Sequence, residues 1–162
     1  MTNDLRIGLG IDVHRLEPGR PCILGGVEIP SPLGPTGHSD ADLVLHAACD
    51  AVLGAAGLDD LGTLYSDQDP KNAGRSSVEM SAEVIRLVRD RGFEVCSLDL
   101  VVETERPILK PHRGTMRRKI AAVFGCPEDA VNVKGKSGEG LDHPIGRREA
   151  IRATAVALLR RA

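Results

Sequence analysis

Apolar residues occupy every second position from Leu5 to Val13, with Gly8 and Gly10 set between them, and this alternation predicts a strand. Asp12 and His14 lie two apart at its end, so an extended backbone aims both to the same side. Cys22–Ile29 predicts a second strand broken by Gly25-Gly26, which suits a bulge or tight hairpin. Pro30–Gly37 has loop composition. From Asp40 the apolar density rises and predicts a helix that stops near Gly54–Gly57. Leu58–Asp69 is acidic and irregular, and Pro70–Arg75 has turn composition. Ser76 and Glu79 have capping-box spacing for a helix through Arg91, with Gly92 as its stop. Phe93–Glu105 predicts a strand whose inner face carries Leu98, Leu100 and Val102. His112–Phe124 predicts an amphipathic helix with Met116, Ile120, Val123 and Phe124 inward, ended by Gly125. Ala130–Lys134 reads as a short strand, and Arg147–Arg161, after a glycine-rich segment, as a last helix.

This order predicts an α+β two-layer fold in one domain over residues 1–162, with about four strands and helices mainly on one face. The helix after Asp40 stands out. Asp42, His46 and Asp50 are four apart and share one stripe of an otherwise apolar surface. A buried polar stripe is costly unless its groups are paired or bound to something, which makes it a candidate site.

Composition narrows the function. The aromatic residues are Tyr65, Phe93 and Phe124 alone, and the net charge is −2. Base-stacking platforms and a basic footprint are therefore missing, which argues against nucleic-acid binding. Cys22, Cys49, Cys96 and Cys126 are far apart, the pattern of reduced thiols rather than a disulfide framework. The opening MTNDLRIGLGIDVH has no long apolar run and no basic leader, so the expectation is a cytoplasmic protein without membrane contact.

Three groups carry candidate chemistry. Asp12, His14 and His46 supply one carboxylate and two imidazoles, a three-ligand set that suits a catalytic metal with an open position. The alternative is a turn-capping aspartate with two satisfied core histidines. His38-Ser39 precedes a helix N-terminus, which favours anions, although Ser39 or Asp40 can also serve as a plain cap. Lys134–Glu139, KGKSGE, can cradle phosphate with its backbone N–H groups, Lys136 and Ser137, or be a flexible polar loop. It lacks the GxxxxGK[ST] spacing of a P-loop. Asp60, Asp67 and Asp69 either bind sugar hydroxyls or remain solvated.

With these residues identified, the chain resembles the 2-C-methyl-D-erythritol 2,4-cyclodiphosphate synthases of the non-mevalonate isoprenoid pathway. The matching runs are GIDVHRL (Gly10–Leu16), ILGGVEIP (Ile23–Pro30), GHSDADLVLHAACDAVLGAAGLDDLG (Gly37–Gly62), SDQDP (Ser66–Pro70), ETERP with PH (Glu103–Pro107, Pro111-His112), VNVK (Val131–Lys134) and GRREAI (Gly146–Ile151). They span nearly the whole chain in the family's order.

The resemblance implies conversion of 4-diphosphocytidyl-2-C-methyl-D-erythritol 2-phosphate to the cyclic diphosphate with release of CMP, in a homotrimer with interfacial active sites. It implies Asp12, His14 and His46 as ligands of zinc or another divalent transition metal, with the Asp12-Val13-His14 run facing substrate. His38 and Ser39 match residues near the substrate phosphates, and His38 a transition-state stabiliser. Asp60, Leu61 and Gly62, together with Tyr65, Ser66, Asp67, Gln68 and Asp69, match substrate-contacting loops. The cytidine pocket corresponds to Thr104, Glu105, Arg106, Pro107, Ile108, Leu109 and Lys110. Lys136, Ser137, Gly138 and Glu139 match the diphosphate loop, with Glu139 as the ligand of Mg2+ or Mn2+. Ser137 stands where the family carries a key threonine hydroxyl. Arg147 matches an arginine at the mouth of a central cavity that can hold isoprenoid diphosphates. Two alternatives remain at this point: an isoprenoid-diphosphate-binding trimer with weak catalysis, and a generic metal-dependent phosphohydrolase.

Overall fold

The computed structural model describes residues 4–66 and 68–162. The alternating N-terminal segment is strand β1, Leu5–Pro18, five residues longer than its apolar alternation suggests. The Gly-Gly segment is a hairpin of β2, Ile23–Leu24, and β3, Val27–Glu28. The Pro/Gly stretch, expected as loop, contains a short strand β4, Leu33–Pro35, which pairs antiparallel with the end of β1. The central helix α1 is Leu43–Ala55, and a short helix α2 follows at Leu61–Leu64. Helix α3, Ser77–Asp90, precedes β5, Phe93–Glu103. Helix α4, Arg113–Phe124, ends at Gly125 in the left-handed conformation that glycine adopts without strain. Strand β6 is Val131–Lys136 and β7 is Ala150–Arg161.

Among the described residues the main sheet has five strands in the order β4-β1-β7-β5-β6, with β5 and β6 parallel and the other neighbours antiparallel. This corrects two expectations. The sheet has five strands, not about four, and the segment expected as a terminal helix is its central strand. Alanine and leucine in Ala150–Arg161 favour a helix by propensity. The burial has period two instead: Ile151, Ala153, Ala155, Ala157 and Leu159 are buried, with more exposed residues between them. Two flanking partners, β1 and β5, supply ladder hydrogen bonds along both edges and override the propensity.

The helices pack on one face. Helix α1 lies across β1 and β7, while α3 packs on β5 and α4 on β6. Small residues permit the close approach of α1: Gly8 and Gly10 on β1, and Ala153, Ala155 and Ala157 on β7, all buried. The other sheet face displays Leu5, Ile7, Leu9, Ile11, Val13 and Val156, each exposed. No helix among the described residues is long and apolar enough to cross a membrane.

Candidate metal and phosphate site

Strand β1 and helix α1 bring the candidate ligands together. Asp12 and His14 leave the same face of β1, and His46 descends from the first turn of α1. One ligand atom from each lies within 4.8 Å of the others. One Asp12 carboxylate oxygen is in hydrogen-bond contact with His14 Nε2 at 2.9 Å and with His46 Nδ1 at 3.1 Å. Burial works against ionising Asp12, but these hydrogen bonds outweigh it and hold the carboxyl well below the usual carboxylate range.

The far nitrogen of each ring is held by an oxygen. His14 Nδ1 meets the Thr36 carbonyl, and His46 Nε2 lies 2.8 Å from the Ser77 hydroxyl and 3.3 Å from that of Ser39. Two imidazoles and a carboxylate, with both rings oriented from behind, fit a divalent metal ion.

These residues line a cavity of about 360 Å³ together with Thr36, His38, Ser39, Asp50 and Tyr65. Leu61 and Gly62 are also on its wall. The stripe expected along one helix divides. Asp42 is the N-cap of α1, not a residue within it. It is fully buried, and its carboxylate accepts backbone N–H groups of Gly25 at 2.8 Å and Gly26 at 2.6 Å, as well as those of Val44 and Leu45. Burial pushes its carboxyl up to about 6, against the opposing pull of those donors. Asp42 thus ties the β2–β3 hairpin to α1. Asp50 does face the cavity and accepts the Leu61 N–H at 2.8 Å, which fixes the start of α2.

The acidic loop residues are placed by their local roles. Asp60 caps α2 through the Thr63 N–H, Asp69 accepts from Lys71 N–H, and Ser66 Oγ accepts from Gln68 N–H. Asp67 lies outside the described residues. Tyr65 is anchored by its hydroxyl to Glu83 at 2.7 Å, and Arg75 bonds the same carboxylate while lying 5.1 Å from the Tyr65 ring centroid. Burial first, and then Glu83, raise the Tyr65 phenol above its ordinary range. Val13 lies next to the ligands, but its side chain is exposed on the opposite sheet face.

A second cavity of about 290 Å³ lies at the parallel β5–β6 edge. It is lined by Thr104, Glu105, Pro107, Ile108, Leu109, Lys110, Lys136 and Ser137, with Arg113 and Gly135 added by the structure. Arg106 falls instead on a neighbouring apolar hollow that also carries Arg148. Gly138 donates its N–H to Glu105 at 2.9 Å, and the Ser137 hydroxyl donates to Glu139 at 2.8 Å. The loop from 136 to 139 is therefore ordered around Glu105. Arg147 is in a turn before β7, paired with Asp142 at 2.6 Å and Glu149 at 3.0 Å. The metal-side cavity and the β5–β6 cavity share no lining residue.

The YgbB family model matches residues 5–160. The chain belongs to the YgbB family. It is 48% identical over 153 residues to the 2-C-methyl-D-erythritol 2,4-cyclodiphosphate synthase of Symbiobacterium thermophilum, covering 94% of this chain and 97% of that one. Against the counterpart from Bordetella petrii the identity is 46% over all 162 residues, 99% of that protein's length. A solved 2C-methyl-D-erythritol-2,4-cyclodiphosphate synthase in a CDP-bound form superimposes with a TM-score of 0.87 at 42% identity, covering 95% of this chain and 99% of that chain. The bifunctional IspDF of Campylobacter jejuni gives a TM-score of 0.95 at 36% identity, with 99% of this YgbB-family chain covering 43% of that longer one.

Proposed function

We propose that the chain forms 2-C-methyl-D-erythritol 2,4-cyclodiphosphate from 4-diphosphocytidyl-2-C-methyl-D-erythritol 2-phosphate, releasing CMP, as a lyase of the non-mevalonate isoprenoid pathway. The observation that carries this reading is the Asp12, His14 and His46 donor set, in one cavity with His38 and Ser39. No side-chain base is needed, because the nucleophile is a phosphate oxygen that is already anionic near neutral pH. It attacks the β-phosphorus of the same molecule. A new P–O bond closes the ring as the bond from that phosphorus to the CMP oxygen breaks, and CMP carries away the electron pair.

The protein must bring two anionic groups together, so positioning and charge neutralisation do the catalytic work. Zinc, or another divalent transition metal, on Asp12, His14 and His46, and Mg2+ or Mn2+ at Glu139, would neutralise that charge and polarise phosphoryl oxygens. His38 and Ser39 would hold phosphate on the α1 side, and Lys136, Ser137 and the backbone of Gly138 the diphosphate. The 104–110 segment would take the cytidine. Asp60, Leu61, Gly62 and the 65–69 loop would contact the methylerythritol. Incubating the purified protein with the defined substrate, zinc and magnesium is expected to yield CMP and cyclic diphosphate in equal amounts. A linear product would favour a phosphohydrolase, and no CMP above a metal-free control would refute the synthase.

The active assembly in this proposal is a homotrimer. Its support is the apolar stripe of Leu5, Ile7, Leu9, Ile11 and Val13 along β1, a surface that a monomer would leave in water. The separation of the metal cavity from the cytidine cavity supports the same reading, since neighbouring chains could complete each site. Sedimentation equilibrium is expected to return three chain masses; a monomer that turns over substrate would rule the trimer out.

A further inference from the structure

Behind His46 lies a hydrogen-bond chain that the reaction chemistry above does not use. Ser77 is the first residue of α3 and is fully buried. Sequence spacing assigns this helix start to a capping box at Ser76, yet Ser76 makes no side-chain cap bond. The cap comes from another part of the chain. Asp40 accepts the Ser77 backbone N–H at 3.0 Å through one carboxylate oxygen and the Ser77 hydroxyl through the other. Asp40 is itself held, donating its N–H to the Arg75 carbonyl at 3.1 Å and accepting from Asp42 N–H at 3.3 Å.

Of the two hydroxyls at His46 Nε2, that of Ser77 at 2.8 Å is closer than that of Ser39 at 3.3 Å. A carboxylate only accepts, so the Ser77 hydroxyl proton points toward Asp40. The Ser77 oxygen is left to accept, and the group facing it at 2.8 Å is His46 Nε2. His46 must therefore carry its proton on Nε2. In the neutral ring this leaves the Nδ1 lone pair directed at the cluster formed with Asp12 and His14. Asp12 competes for a proton on Nδ1, but a cation bound there would remove that demand and leave the demand from Ser77 in place.

We propose that Asp40 and Ser77 are positioning residues that fix the tautomer of His46, so that Nδ1 is presented to the metal. This rests on the metal reading of the Asp12, His14 and His46 cluster. The chain also explains why the N-terminus of α3 is joined to the loop before α1: one carboxylate caps a helix and orders a ligand at once.

The test uses the full-length protein and zinc. Zinc stoichiometry of the parent, by elemental analysis, tests the metal reading separately; one zinc per chain lost in His46→Ala supports it. In the zinc-loaded parent, nitrogen-15 NMR of the histidine rings is expected to show His46 bound through Nδ1, with a downfield Nε2–H protected from water. In Ser77→Ala that proton is expected to shift upfield and exchange rapidly. Zinc affinity, measured by chelator competition, is expected to fall about 10- to 100-fold. Asp40→Ala frees the Ser77 hydroxyl to turn toward His46 and is expected to weaken zinc in the same range. Coordination of zinc by Nε2 in the parent would overturn the proposal, and this observation needs no variant to fold. So would a Ser77→Ala protein that melts lower but keeps zinc affinity within about twofold of the parent, since that outcome assigns Ser77 to helix packing alone.

Discussion

His46→Ala is expected to lose stoichiometric metal and to release CMP more than about a hundredfold more slowly than the parent. The scale follows from the ligand's position: groups that merely orient a ligating histidine are worth about 10- to 100-fold, and removing the ligand exceeds that. The ring has an exposed side-chain fraction of 15% and stands at the wall of an open cavity, so water can refill the space that alanine leaves. The fold should therefore survive, with a melting temperature near that of the parent, because α1 keeps its apolar contacts. Asp12 loses one of its two imidazole partners and His14 keeps its place at 2.9 Å. Elemental analysis together with a CMP assay reads the result. Retained zinc at one ion per chain would contradict the ligand assignment, whatever happened to the rate.

The metal cluster could be read from the sequence because its parts obey local rules. Asp12 and His14 are two apart on a strand, and His46 lies in the first turn of the helix that covers that strand. The helices α1, α3 and α4 and the hairpin at Gly25-Gly26 were predictable for the same reason: their periodicity and stop signals lie within a few residues. Strand β7 was not. Its alternation of Ala153, Ala155 and Ala157 with Thr154 and Val156 is weak because alanine marks neither an inner nor an outer face, and only pairing with β1 and β5 decides it. Asp42 deceives in the other direction. Four-residue spacing places it on a stripe with His46, whereas its carboxylate caps α1 and holds Gly25 and Gly26 across the hairpin. The Asp40–Ser77 link joins residues 37 apart, and no spacing rule reaches that far.

Gly10→Ala is expected to damage stability and metal binding together, because the same contact sets both. A β-carbon at Gly10 would lie 2.0 Å from the Ala47 carbonyl oxygen and 2.7 Å from the Ala51 nitrogen. Ordinary contact begins near about 3.5 Å. The obstructing atoms belong to the backbone of α1, so no side-chain rotation relieves them and the helix must lift by more than about 1 Å. Lifting it uncovers the row Ala153, Ala155 and Ala157, all fully buried beneath or beside α1. A loss above about 3 kcal/mol follows, the upper range for overpacking, or roughly 10 °C in melting temperature for a chain of this size. Ala47 adjoins His46 and Gly10 stands two residues from Asp12, so the lift pulls one ligand away from another. Zinc affinity should therefore fall even in the fraction that remains folded. Gly54→Ala is the control on the same helix: its β-carbon would meet nothing within 4 Å. Replacing a helical glycine there is expected to raise stability by up to about 1 kcal/mol and leave zinc binding alone. Calorimetry and chelator competition on both variants separate the cases. Parent-like melting for Gly10→Ala would mean that α1 is not seated on β1 as described, and with it would go the account of how the fold brings His46 to Asp12.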